Sequence, residues 1–115
     1  MNLNDNPVFS RLTELLEPLN LPIFWRGSPL PAPEPPAFLV LESGFNVPAY
    51  QWGHGINTKT VRIRVVAVPL GLRNSLVDDV AAALPTSEFR VNNTMSTDDQ
   101  VDGRFEAVLN INTIT

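Results

Sequence analysis

The chain of 115 residues has no cysteine, one histidine, one tyrosine and, among eight basic residues, a single lysine. Without thiols there can be no disulfide, no thiolate nucleophile and no thiolate-ligated metal, a pattern compatible with a reducing compartment. With one imidazole, a conventional zinc site would have to be completed by carboxylates. The basic residues are scattered and the net charge is −4, so the electrostatic footprint of a nucleic-acid binder is missing. Long hydrophobic runs are missing too: no apolar stretch approaches the ~20 residues of a membrane helix. The opening MNLNDNPVF lacks the basic-then-apolar order of a secretory signal. Nor is there a phosphate-binding glycine loop, a serine nucleophile elbow or a dinucleotide fingerprint. These absences point to one soluble domain spanning 1–115, with no cofactor, no metal, no membrane and no nucleic acid as partner.

What the chain does have is proline: 11 in all, five of them in SPLPAPEPPAF between Ser28 and Phe38. The flanking segments show how to read that span. In NPVFSRLTELLEPL, Val8, Leu12, Leu15, Leu16 and Leu19 recur at helical spacing with Phe9 near the stripe; Asn6 can cap the helix, Pro7 suits its first position, and Pro18 stops it near Glu17. LNLPIFWRG then reads as a short strand or extended connector with Leu21, Ile23 and Trp25 on one side, ended by Gly27. AFLVLE is strand-like and too short for a stable helix. TKTVRIRVVAVPL alternates Val61, Ile63, Val65 and Ala67 with Thr60, Arg62, Arg64 and Val66, one face apolar and the other beginning charged, facing solvent or a partner.

GLRNSLVDDVAAALP reads as a second helix with Leu72, Leu76, Val80, Ala83 and Leu84 on one face, Asp78 and Asp79 in its first turns and Pro85 beyond its end. In the remaining stretch Phe105, Ala107, Leu109 and Ile111 alternate, and Asp102-Gly103 signals a tight turn between two antiparallel strands. The expected fold is α+β, two helices packed on one face of a mainly antiparallel sheet of about four strands. No element carries enough apolar surface to fold alone, so the prolines at 28–36 read as a stiff connector inside one domain. PLPAPEPP also has the spacing of a polyproline ligand, but Arg26 is the only nearby basic residue to orient it.

Three places invite a chemical reading. His54 sits between glycines near Tyr50 and Trp52, yet a general base needs an orienting partner and a metal needs further ligands. Asp98, Asp99 and Asp102 crowd one turn without EF-hand spacing, and turn chemistry accounts for them. Asp78 and Asp79, adjacent on a helix, point ~100° apart and do not converge.

The order of these elements and the wording of LTELLEPLNLPIFWRGSPLP…PAFLVLE, TVRIRVVAV, SLVDDVAAAL and FRVNNTMSTDDQVDGRFEAVLNINTI resemble small tailed-phage tail-terminator and tail-completion proteins over nearly the full chain. The 46–58 loop is more aromatic and glycine-rich than its counterpart in that family. The resemblance implies a structural virion protein without catalytic residues. Such a protein forms a ring, commonly a hexamer, that caps the tail tube, stops its polymerisation and meets the head connector. Its partners would be itself, the tail-tube protein and the head-tail connector protein, and its place the virion tail, after assembly in the host cytoplasm. Contacts are then expected from Tyr50, Trp52 and His54 in the loop, from Pro31 and Pro33 in the arm, and from Arg62 and Arg64 pairing with acidic neighbours. Other readings are a monomeric binding module using the aromatic loop, another head-tail joining or minor tail component, and a small enzyme using His54 with Asp98 or Asp99.

Overall fold

The computed structural model describes residues 7–26, 29–43 and 60–113. A helix α1 (Pro7–Leu16) runs into a 3-10 turn (Glu17–Leu19) and is followed by strand β1 (Ile23–Trp25). Next come β2 (Ala37–Ser43), β3 (Thr60–Ala67), helix α2 (Leu70–Ala83), β4 (Phe89–Ser96) and β5 (Phe105–Thr113). The sheet has five strands in the order β1-β2-β3-β5-β4. All neighbours are antiparallel except β1 and β2, which run parallel with Ile23 beside Leu39 and Trp25 beside Leu41. The expected antiparallel sheet therefore gains a fifth, parallel strand. The segment LNLPIFWRG, read as a short strand or connector, is this strand, and the 29–36 connector brings the chain back so that β2 can run parallel to it.

Strand alternation divides the sheet into two faces. On one, Leu39, Leu41, Ile63, Val65, Leu109 and Ile111 are fully buried against Phe9, Leu12 and Leu16 of α1 and Leu76, Val80 and Leu84 of α2. Both helices thus cover the same face, as the apolar stripes imply. In α1 it is Phe9 that is buried, while Val8, Leu15 and Leu19 flank the core. Pro18 ends the α-helix by moving the chain into the 3-10 turn, and Asn20, in the left-handed region at φ 57°, closes that turn by donating to the Glu17 carbonyl. The proposed Asn6 cap and Gly27 lie outside the described residues.

Two expectations for α2 are corrected. The helix starts at Leu70, directly after Pro69, so Asp78 and Asp79 sit well inside it, exposed, and no acidic residue occupies its first turn. The dipole role assigned to them does not hold. The buried stripe is Arg73, Leu76, Val80 and Leu84, whereas Leu72 is exposed. Arg73 is buried because acceptors surround it. Its Nη1 donates to the carbonyl oxygens of Thr97 at 2.8 Å and Glu106 at 2.9 Å, and its Nε and Nη2 donate to Asn74 Oδ1 at 3.0 and 2.7 Å. Asp98 adds a longer contact of 3.4 Å from its exposed carboxylate. The guanidinium so fastens the start of α2 to the point where β4 ends and β5 begins.

The β4–β5 connection contains the expected tight turn. Asp102 at φ 54° and Gly103 at φ 77° both take left-handed backbone, and Val101 and Arg104 exchange hydrogen bonds of 2.8 and 3.0 Å across it. At the other end of β4, Glu88 is gripped from α1: Arg11 donates through Nε at 2.8 Å and Nη2 at 2.7 Å to the two carboxylate oxygens. Hydrogen bonding from Arg11 holds the Glu88 carboxyl below the usual glutamate range, and the same contact raises Arg11. Because the folded-state value is the lower one, the contribution of this pair is complete above the unfolded carboxyl value and is lost as pH falls through the folded one. Glu88→Gln should lower the urea midpoint at pH 7, and the gap from the parent protein should close on acidification; a gap constant with pH would contradict this pairing.

Candidate functional site

The face of the sheet opposite the helices is built from the alternate residues of the same strands. Here Arg64 of β3 lies between Glu42 of β2 and, beside its neighbour Val66, Glu106 of β5. Arg64 Nε and Nη2 both reach Glu42 Oε1 at 3.0 Å, and Nη1 lies 3.7 Å from Glu106 Oε2. The Glu42 side chain is 5% exposed and that of Arg64 33%. Two residues along β3, Arg62 Nε donates to Asn110 Oδ1 at 3.1 Å, and Asn110 Nδ2 donates to Asn93 Oδ1 at 2.8 Å. Thr60 donates to Asn112 at 3.0 Å. The charged half of β3 is therefore where alternation puts it, on the second face. The acidic partners of Arg64, however, come from its own chain, so any interface formed by this strip would present a network already closed on one side.

Beyond the network the same face turns apolar. Phe38 and Val66 are nearly fully buried although, among the described residues, both helices pack on the opposite face. Phe24 of β1 meets Phe38 edge to face at 5.7 Å. The Arg104 guanidinium stands 5.7 Å from the centre of the Phe38 ring and bonds Glu34 of the proline connector. Glu34 thus ties the connector down on its own sheet, while Pro31 and Pro33 remain exposed. Between connector and sheet lies a groove of about 240 Å³ with Phe38, Val40 and Val66 among its lining residues, together with Leu30 and Trp25. Arg26, Arg64 and Arg104 also line it, against one carboxylate, Glu106.

A separate feature is the outer strand β4. Among the described residues it has one strand neighbour, β5, and after the buried Phe89 every residue to Ser96 is exposed. Val91, toward the helix side, and Met95, toward the open side, are 38% and 52% exposed, so β4 overhangs the layers that cover the rest of the sheet. A bulge between Val91 and Asn93 interrupts its pairing. Bulges and polar side chains on an edge restrict which strands can add to it. Beside the strand, Leu84, Thr86, Phe89, Arg90 and Val91 line a depression of about 350 Å³.

The structure places the expected site residues in different ways. Arg62 and Arg64 share one face and one polar strip, and Pro31 and Pro33 stand on a connector over the same face. Tyr50, Trp52 and His54 lie outside the described residues, as does the rest of the 46–58 loop. Asp98, Asp99 and Asp102 form an exposed turn in which Thr97 Oγ1 accepts from the Asp99 amide at 3.2 Å. Among the described residues no group of three histidine, cysteine, aspartate or glutamate side chains could hold a metal ion, and no helix is long and apolar enough to cross a membrane. Compared with known proteins, the chain matches no family model and no curated protein.

Replacing Arg64 by methionine leaves the Glu42 carboxylate buried without its cation. This should cost about 2 kcal/mol, below the ~3–5 kcal/mol of a fully enclosed pair because Arg64 is 33% exposed. Adding Glu42→Gln should recover part of the loss in urea unfolding; an additive double mutant would contradict the coupling.

Proposed function

We propose that this chain is a structural protein of a tailed-phage virion, of the tail-terminator kind: a ring that caps the tail tube, stops its polymerisation and joins it to the head connector. The observation that carries the reading is β4, an eight-residue edge strand exposed along seven of those residues and overhanging both covered faces. A closed ring needs a patch on one subunit that meets a different patch on the next. A sheet edge offers main-chain groups to such a neighbour, with Val91 and Met95 as apolar contacts on either side. The element order and sequence wording described above supply the resemblance to the family. In this reading the chain acts by shape and not by turnover, and the tube and the connector are its partners.

The bulge in β4 fits such a role, because it limits indiscriminate strand addition while leaving two short stretches that a specific neighbour can address. The test is to mix the protein with polymerising tail-tube protein from the same genome and follow tube length by electron microscopy and assembly size by light scattering. Addition should give short, capped tubes and ring-sized particles. Met95→Lys, on an exposed side chain, should preserve the fold by circular dichroism and weaken capping about tenfold, the equivalent of ~1.4 kcal/mol. A protein that stays monomeric and leaves tube length unchanged would overturn the reading.

A further inference from the structure

We infer that a second copy of this chain covers β4: two β4 strands pair antiparallel about a two-fold axis, so that the free protein closes its own assembly edge. This rests on the reading of β4 as an assembly edge and not on the phage role. A two-fold pair occupies the strand that a ring neighbour would address, and it must open before a ring can form.

The bulge decides the geometry. Before it, Phe89 and Val91 belong to the helix side, with Val91 beside the buried Ile111, and Arg90, beside Asn112, belongs to the open side. After it the order is inverted. Thr94 and Ser96, beside Leu109 and Ala107, belong to the helix side, while Asn93 and Met95, beside Asn110 and Val108, belong to the open side. In a regular strand, Phe89–Val91 of one copy and Thr94–Ser96 of another would meet with their faces crossed. The inserted residue corrects this: Phe89 faces the partner's Ser96, Arg90 the partner's Met95 and Val91 the partner's Thr94, each pair on one side of the sheet. The two-fold axis passes between the bulges and repeats the ladder, so Val91 and Met95, both exposed in the single chain, each gain a facing neighbour.

Charge selects the same direction. Arg90 is exposed at the start of β4 and makes no side-chain hydrogen bond or ion pair with any described residue. The turn after β4 carries three exposed carboxylates. Asp98 touches Arg73 at 3.4 Å with its side chain 82% exposed, and Asp99 and Asp102 form no ion pair with any described residue. An antiparallel partner brings the start of one strand to the end of the other, and so each Arg90 toward the acidic turn of the other copy. A parallel partner would set Arg90 beside Arg90 and turn beside turn. From the partner's Met95, opposite Arg90, the partner's Asp98 is three residues on, about 10 Å at ~3.3 Å per residue. The long arginine side chain shortens that separation to within the ~8 Å Debye length.

Two short ladders make a small interface, and small interfaces are weak, so the pair should be half dissociated at about 100 μM. Sedimentation velocity on the full chain across that concentration should show the weight-average mass rising to two chains and no further. Amide exchange should show protection within residues 90–96 at high concentration that is gone when the protein is diluted well below the midpoint. Arg90→Asp and Asp99→Arg, both at exposed positions, should each weaken association about fivefold, the size of exposed charge contacts counted twice by symmetry. The double variant should recover most of the loss. No association at millimolar protein, a mass that climbs past two chains without a plateau, or a double variant no better than the single ones would overturn the inference. Tube capping is read separately: monomers that still cap tubes would overturn the pair and leave the ring reading standing, whereas dimers without capping would support the pair and count against the ring.

Discussion

Two helices cover one face of a five-stranded sheet, and the rest of this structure follows from what that leaves uncovered. The apolar stripes of α1 and α2 meet the odd-numbered residues of β2, β3 and β5 and form a dry core with Leu12, Leu39, Ile63, Leu109 and Ile111 at its centre. Among the described residues no third helix covers the other face. That face carries charge and the connector instead: Arg64 between Glu42 and Glu106, Arg104 beside Phe38, and Glu34 bonded to Arg104 from a connector whose Pro31 and Pro33 stay exposed. Buried ion pairs are a poor source of net stability but a strict source of register, since a one-residue slip would separate every pair. These pairs therefore add to the register that burial on the helix face already specifies.

The same shortage explains β4. The helical layer reaches β3 and β5, and only Phe89 carries β4 into the core. Two arginines compensate at its ends, Arg11 gripping Glu88 before the strand and Arg73 gripping the Thr97 carbonyl after it. A strand anchored at both ends and open along its length keeps its shape while remaining available to a neighbour. This is the physical basis for reading it as an assembly edge.

Much of the architecture was legible in the residues. The alternation of Val61, Ile63 and Val65 with Arg62 and Arg64 separates the two faces of β3 correctly, and Asp102-Gly103 marks the turn between β4 and β5. LNLPIFWRG was legible as a short strand or connector, and Ile23–Trp25 is that strand; its parallel pairing with β2 was not, because the partner lies beyond the connector. Periodicity selects Leu72 and not Arg73, since it weighs apolar side chains and cannot see a polar one whose acceptors arrive from residues 97 and 106. The partners of Arg64 and the groove around Arg104 had no local signal either: they depend on cross-strand register and on a contact between residues 34 and 104.

If the chain assembles through the β4 edge, backbone amide hydrogen exchange will register it there. Exchange is followed residue by residue for the free protein and for the protein bound to tail tubes. Assembly through β4 should bring new protection concentrated in residues 90–96, with the already paired amides of β3 unchanged. Protection that leaves β4 as it was and appears on the exposed side of α2 would contradict it.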